Sequence, residues 1–66
     1  MNKVLGYRKM IGFTQLQMAN ELGISENQYR AKEKGRYDFS KTEMEKYHEV
    51  VKKSMKDVKI QDIFFG

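Results

Sequence analysis

The chain has 66 residues, no cysteine, one histidine and a net charge of +4. This composition excludes a disulfide framework and a zinc site built from cysteine and histidine. A chain of this length forms one domain with one modest core. The chain contains no proline, which fits a mostly helical protein. We therefore expect residues 1–66 to form a single all-α domain. We expect no cofactor and no small-molecule ligand.

The sequence contains no run of about 18 apolar residues, the length that a membrane-spanning helix requires. The first ten residues include Lys3, Arg8 and Lys9 and lack the apolar segment of a signal peptide. We therefore expect no membrane partner and a cytoplasmic location.

The positive charge is concentrated in one half of the chain. Residues 1–36 carry seven basic and three acidic side chains and so hold the whole excess of +4, whereas residues 37–66 carry six of each. A one-sided basic surface is expected of a protein that binds a polyanion. An uneven distribution of solvated lysines would give the same charge, so both interpretations stay open.

The first predicted helix runs from Asn2, a plausible N-cap, to Ile11. Its spacing predicts one buried stripe, and Gly12 and Phe13 follow as a stop and a core residue. The predicted stripe consists of Val4, Tyr7, Met10 and Ile11.

Residues 14–35 predict two short helices joined by a tight turn. Thr14 and Ser25 are good N-caps, and Gly23 suits a helix end that needs positive φ. Such a pair of helices is typical of a helix-turn-helix, whose second helix enters the DNA major groove. The residues expected to be buried here are Met18, Ala19, Leu22 and Ile24.

The third predicted helix, from Glu26 to Lys34, has little apolar content. We expect only Tyr29 and Ala31 to be candidates for burial, and the other side chains are mostly polar or basic. They could form an ordinary solvated face. Directly after a capped glycine turn, contact with base edges is the better explanation, because Asn and Gln can bind adenine bidentately and Arg can bind guanine.

Gly35 opens a loop, and Ser40-x-x-Glu43 is a capping box that begins a fourth helix. A stripe with spacings of 3, 4, 4 and 3 extends this helix to Val58 and comprises Met44, Tyr47, Val51, Met55 and Val58. His48 should be partly exposed. The final residues, 58–65, predict one helical turn that closes the core, and Phe65 adds apolar surface suited to fraying or to self-association.

Three motifs stand out along the chain: Arg8-x-x-x-Gly12-x-Thr14-Gln15-x-x-Met18-Ala19-x-x-Leu22-Gly23-Ile24-Ser25, then Tyr29, Glu33 and Gly35, and finally Ile60-x-Asp62-Ile63-Phe64. In these motifs the sequence resembles the Xre (Cro/phage-repressor) family of DNA-binding domains. The run Tyr29-x-x-Lys32-Glu33-x-Gly35, followed by Phe39-Ser40-x-x-Glu43, resembles in particular the small regulators of phages and mobile elements in Gram-positive bacteria. The resemblance to the Xre family implies a compact five-helix bundle of the lambda-repressor-like type with a central helix-turn-helix.

The resemblance also implies roles for individual side chains. Phosphate contacts are implied for Arg8, Thr14, Gln15, Lys34, Arg36 and Tyr37. Base-edge positions are implied for Ser25, Glu26, Asn27, Gln28, Arg30 and Ala31. Gln15 is further expected to support the first residues of the third helix, and Arg8 to form a partly buried ion pair with Glu33. Lys32 departs from the pattern, since many family members place an apolar core residue there.

Together these features predict a transcriptional regulator, most simply a repressor, that binds double-stranded DNA as a homodimer on a two-fold operator. The alternative is a protein-interaction module on the same fold, acting through Ile63, Phe64 and Phe65. We do not expect an enzyme, because the sequence offers no cysteine nucleophile, no second histidine and no glycine-rich phosphate loop.

Overall fold

Five α-helices follow one another in the computed structural model, which describes residues 3–65. They are α1 (Val4–Met10), α2 (Gln15–Leu22), α3 (Glu26–Glu33), α4 (Lys41–Lys52) and α5 (Ile60–Phe64). No strand occurs within these residues, which confirms the predicted all-α, five-helix architecture. Across the described part of the chain, no helix combines the length and the apolar character needed to cross a membrane.

Three helices begin at the caps that the sequence predicts. The hydroxyl oxygens of Thr14, Ser25 and Ser40 accept from the backbone N–H three residues on, at 3.0 to 3.1 Å. In each case the side chain of that third residue accepts from the backbone N–H of the cap, which completes a capping box. These reciprocal bonds satisfy N–H groups that an isolated helix leaves without partners.

The turn between α2 and α3 is set by Gly23, whose φ of +74° is unfavourable for residues with a side chain. The N–H of Gly23 donates to Asn20, and the N–H of Ile24 donates to Ala19 at 3.1 Å. Only residues 23–25 separate the two helices, so their relative orientation is fixed locally. The helix-turn-helix geometry follows from this short connection.

The core lies where α2 packs against both α3 and α4. It contains Val4, Met18, Ala19, Leu22, Tyr29, Phe39, Tyr47, Val50, Val51 and Ile63. The ring of Phe64 lies 5.5 Å from the rings of both Phe39 and Tyr47, in edge-to-face contacts. Ile24 and Phe13, expected in the core, are half-buried at its margin.

Hydrogen bonds join the beginning of α1 to α5 and to α4. The backbone N–H of Lys3 donates to the carbonyl of Ile63 at 2.8 Å, and the Tyr47 hydroxyl donates to the carbonyl of Val4. The short α5 therefore closes the core beside α1, as the sequence predicts.

Two details of the first helix differ from the prediction. It begins at Val4, and the proposed cap Asn2 lies outside the described residues. The predicted burial of Met10 is wrong, since its side chain is 63% exposed. Arg8 lies four residues after Val4 on the inward face and is buried in its place, because its charge is neutralised there.

The predicted extension of the fourth helix to Val58 is also wrong, because α4 ends at Lys52. The N–H groups of Ser54 and Met55 both donate to the carbonyl of Val51, and the chain turns back. Half-buried His48 donates from Nε2 to the carbonyl of Val58 at 2.7 Å, which holds the returning segment. Met55 and Val58 thus reach the core from a turn rather than from a helix.

Candidate nucleic-acid interface

The outward surface of α3 is almost entirely polar. Tyr29 is the one apolar residue of this helix that is buried, and Ala31 is half-buried. The exposed predicted site residues here are Ser25, Asn27, Gln28 and Arg30, with Glu26 half-buried beside them. After the helix, Lys34, Arg36 and Tyr37 are all exposed. The structure therefore brings the predicted base-contacting side chains onto one continuous face beside a basic loop.

A groove of about 620 Å³ separates α3 from the loop that follows it. Its walls include Asn27 and Ala31 on the helix and Tyr37 on the loop. The ring of Tyr37 is 68% exposed. The helix consequently stands clear of the loop on this side, as an element that enters a DNA groove has to do.

Asn27 and Gln28 differ in how far their amides are already engaged. The Oε1 atom of Gln28 accepts from the backbone N–H of Ser25 at 3.0 Å, and the Ser25 hydroxyl accepts in return. The side chain of Asn27 makes no hydrogen bond to residues 3–65. Its amide therefore has both donor and acceptor available for a bidentate contact with a base.

Arg30 is held on both sides by polar partners. Its Nε donates to Oε1 of Gln15 at 3.0 Å, and its Nη2 donates to Oε2 of Glu26 at 3.0 Å. The side chain is nevertheless 51% exposed. Arg30 thus has a defined orientation at the surface before any partner binds.

Gln15 connects this exposed pair to a buried carboxylate. Its Nε2 donates to Oε1 of Glu33 at 2.9 Å while its Oε1 accepts from Arg30. We expected Gln15 to support the first residues of the third helix, and this prediction is wrong. The amino end of α2 lies beside the carboxyl half of α3, so Gln15 contacts Arg30 and Glu33 instead.

The Glu33 side chain is only 5% exposed and accepts four hydrogen bonds. Two come from Arg8, from Nε at 2.8 Å and Nη2 at 3.2 Å, and the others come from Gln15 and from the Tyr29 hydroxyl at 2.8 Å. Burial alone would raise the pKa of Glu33, but these bonds, led by those from Arg8, lower that pKa below its ordinary value. Glu33 is therefore a stable buried anion.

The two titratable groups that donate to Glu33, Arg8 and Tyr29, remain protonated. The hydrogen bond to Glu33 raises the pKa of Arg8, and burial, followed by the bond to Glu33, raises the pKa of Tyr29 far above the ordinary tyrosine value. Within the described part of the chain, no buried side-chain nitrogen or oxygen is left without a hydrogen-bond partner. The network is therefore fully satisfied.

The predicted ion pair of Arg8 with Glu33 is confirmed, but the structure gives Arg8 little access to phosphate. Its side chain is 8% exposed, and Nη1 donates to the carbonyl of Phe13 at 2.8 Å. Arg8 joins α1 to α3 and to the start of the helix-turn-helix. We assign it this structural role and do not include it in the candidate interface.

The remaining predicted phosphate contacts lie at the two ends of the helix-turn-helix. Thr14 uses its hydroxyl oxygen as a cap and is exposed, so its O–H can still donate outward. Lys34 and Arg36 form no ion pair with any of residues 3–65. These two cations therefore supply uncompensated positive charge next to the face of α3.

Lys32 makes a contact that the sequence did not reveal. Its Nζ forms an ion pair with Oε1 of Glu43, with side-chain exposures of 19% and 13%. The same Glu43 oxygen accepts from the N–H of Ser40 at 2.9 Å. Lys32 thus connects α3 to the capping box of α4.

The surface invoked by the alternative function is mostly buried. Ile63 is fully buried and Phe64 is half-buried against Phe39 and Tyr47. Phe65 is 70% exposed and borders a groove of about 320 Å³ that Tyr37 and Met44 also line. Of the three residues of the alternative, Phe65 is thus the one presented to a partner.

Among residues 3–65, no three side chains of histidine, cysteine, aspartate or glutamate are grouped so that they could hold a metal ion. No protein-family model, curated protein or solved structure matches this chain. What the protein does therefore has to be inferred from the geometry of its surface.

Proposed function

We propose that the chain is a sequence-specific DNA-binding regulator of the type that its resemblance to the Xre family implies, and that it acts as a repressor. The observation that carries this proposal is the form of α3. Tyr29 is the one apolar side chain that this helix buries, and a three-residue turn joins the helix to α2, so packing does not account for its exposed polar face, which includes Asn27 and Gln28. Contact with base edges in the major groove accounts for that face.

The charges beside α3 support the same conclusion. Lys34 and Arg36 are exposed cations that follow the helix directly, and Thr14 and Gln15 lie at the amino end of α2. Helix amino ends favour anions, because their N–H groups and the helix dipole face outward. Phosphate contacts from these two places would fix the position of α3 on the duplex, while side chains such as Asn27 select the sequence.

We further propose that two copies bind a two-fold operator. The exposed aromatic side chains of Phe65 and Tyr37 beside one groove provide apolar surface for a homodimer contact. Half-sites would then lie one helical turn apart, at about 34–36 Å. A dimer bound in this way represses by blocking access of polymerase to the promoter.

Charge reversal separates this function from that of a protein-interaction module. Replacement of Arg30, Lys34 and Arg36 by glutamate should abolish DNA binding, because the substitutions place negative charge against the polyanionic duplex. Replacement of Phe65 by serine should leave the affinity of one protomer for a half-site unchanged. The opposite pattern, with a protein partner retained after charge reversal and lost after Phe65→Ser, would favour the interaction module.

Selection from a pool of randomised duplexes tests the proposal itself. The expected result is enrichment of a motif with two-fold symmetry. Enrichment of no motif, with weak binding that disappears as salt rises, would show that the basic half of the chain is only a charged surface.

A further inference from the structure

Arg30 differs from the other exposed cations of the candidate interface because it is already paired. Its two partners, Glu26 Oε2 and Gln15 Oε1, each lie 3.0 Å from a guanidinium nitrogen. Lys34 and Arg36 have no such partners within residues 3–65. Of these three cations, Arg30 is thus the one whose orientation is set by hydrogen bonds.

The two bonds occupy one edge of the planar guanidinium group. Nε and Nη2 point in parallel along the side of the group, and this side faces Gln15 and Glu26. The end of the group, formed by Nη1 and the second hydrogen of Nη2, makes no hydrogen bond to residues 3–65. Arg30 therefore presents a fixed pair of parallel donors at a side chain that is 51% exposed.

A phosphate is a poor occupant of this position. Glu26 lies against Arg30, so an anion bound there would also approach a carboxylate, and the charge of Arg30 is already offset. The O6 and N7 atoms of guanine are two uncharged acceptors that match a pair of parallel N–H donors. Guanine suits the free edge of Arg30 better than phosphate does.

We propose, on the basis of the DNA-binding function proposed above, that Arg30 recognises a guanine of the operator through the Nη1–Nη2 edge, with Glu26 and Gln15 as positioning residues. The partners hold the guanidinium in its binding orientation in the free protein, so less side-chain freedom is lost on binding. The operator then contains at least one guanine in each half-site whose N7 is essential.

The test uses the selected operator and copies of it in which one guanine at a time is replaced by 7-deazaguanine, which lacks N7 but still pairs with cytosine. For the natural chain, one such replacement in each half-site should weaken binding roughly tenfold, within the range of a bidentate contact. Arg30→Lys keeps the positive charge but removes the pair of parallel N–H donors. For this variant the same replacement should change affinity less than about twofold, because the N7 contact is already lost.

Arg36→Lys is the matched control, since it makes the same exchange in the neighbouring loop, and it should keep the tenfold penalty. Arg30 is half exposed, so Arg30→Lys should unfold at the same denaturant concentration as the natural chain. A comparison of Glu26→Ala with Glu21→Ala then tests positioning. Each variant removes one carboxylate from the surface of the helix-turn-helix, so both should bind random duplex more tightly. Only Glu26→Ala should reduce the loss of affinity that 7-deazaguanine causes.

Retention of the full penalty by Arg30→Lys at every guanine would overturn the assignment of Arg30, while the selected motif would still support DNA binding. An operator without guanine would overturn it in the same way. If 7-deazaguanine lowers the affinity of Glu26→Ala as much as that of Glu21→Ala, the positioning role of Glu26 is overturned. If selection gives no motif at all, both this inference and the proposed function fail.

Discussion

Arg8 and Glu33 form a buried ion pair whose Nε–Oε2 distance is 2.8 Å, although 25 residues separate them in the chain. The pair fixes α1 to the last turn of α3. Because Glu33 also accepts from Gln15, and Gln15 in turn accepts from Arg30, the exposed face of α3 is connected to the core by continuous hydrogen bonds. Stability and the geometry of the interface should therefore respond to the same substitution.

Glu33→Ala should destabilise the domain by about 3–5 kcal/mol, because it leaves the buried charge of Arg8 without its partner. Denaturant unfolding measures this loss. The control is Glu26→Ala, which breaks an exposed ion pair of the same helix and should cost less than about 1 kcal/mol. Equal losses of unfolding free energy in the two variants would mean that the buried Arg8–Glu33 pair stabilises the domain no more than an exposed ion pair does.

Acid should destabilise the protein through two carboxylates. The pKa of Glu33 and that of Glu43 both lie below the ordinary value of 4.5, because hydrogen bonds from Arg8 and Lys32 respectively outweigh the effect of burial. A lowered pKa in the folded state gives stability that is complete above pH 4.5 and is lost as the pH falls through the folded-state pKa. Unfolding free energies measured from pH 7 downward should decline in that acidic range.

The same titration of Glu33→Gln should give a shallower decline, since one of the two carboxylates is gone, and Glu43→Gln should do the same. Both variants would keep the remaining carboxylate, so the decline should not vanish in either. A decline as steep as that of the natural chain in both variants would assign the acid sensitivity to other groups.

Two glycine substitutions should have effects of opposite sign. Gly23→Ala places a side chain at φ of +74° and should destabilise the helix-turn-helix by about 1–2 kcal/mol. Gly6→Ala lies within α1, where an added Cβ meets nothing within 4 Å, and should stabilise by about 0.5–1 kcal/mol. Thermal unfolding of the two single variants measures both effects, and a loss of stability in Gly6→Ala would contradict the helical assignment of that position.

Asn27→Ala and Lys34→Ala should separate base contact from phosphate contact. Asn27→Ala should lose about 1–3 kcal/mol of discrimination at one or two base pairs. Lys34→Ala should weaken binding to all duplexes and reduce the slope of log affinity against log salt by about one. Titrations of specific and random duplex at several salt concentrations measure both, and identical behaviour of the two variants would contradict these roles.

The helix starts could be predicted from sequence because their signals are local. Thr14, Ser25 and Ser40 each bond to a residue three positions on, and Gly23 acts through its own backbone. The end of α4 could not be predicted in this way. A spacing of 3, 4, 4 and 3 is compatible with a continuous helix, and no glycine or proline marks the turn after Lys52, which is held by the distant bond of His48 to Val58.

The same distinction between local signals and contacts distant in sequence applies to the candidate interface. Its position on α3 follows from local pattern and could be predicted. The partners of individual side chains depend on how helices pack, so the bond of Gln15 to Arg30 and the ion pair of Lys32 with Glu43 lay beyond what spacing indicates. The burial of Arg8 also needs Glu33 from another helix, and it is the family resemblance, not the spacing within α1, that implies this pair.

The ratio of affinities for the selected duplex and for random duplex, measured in the same buffer at several salt concentrations, tests the central claim most directly. A sequence-specific regulator should bind the selected duplex at least about 10³-fold more tightly. The preference should persist as salt rises, because base contacts do not depend on counterion release. A ratio near one, with both affinities falling together as salt is added, would contradict recognition of DNA sequence by α3.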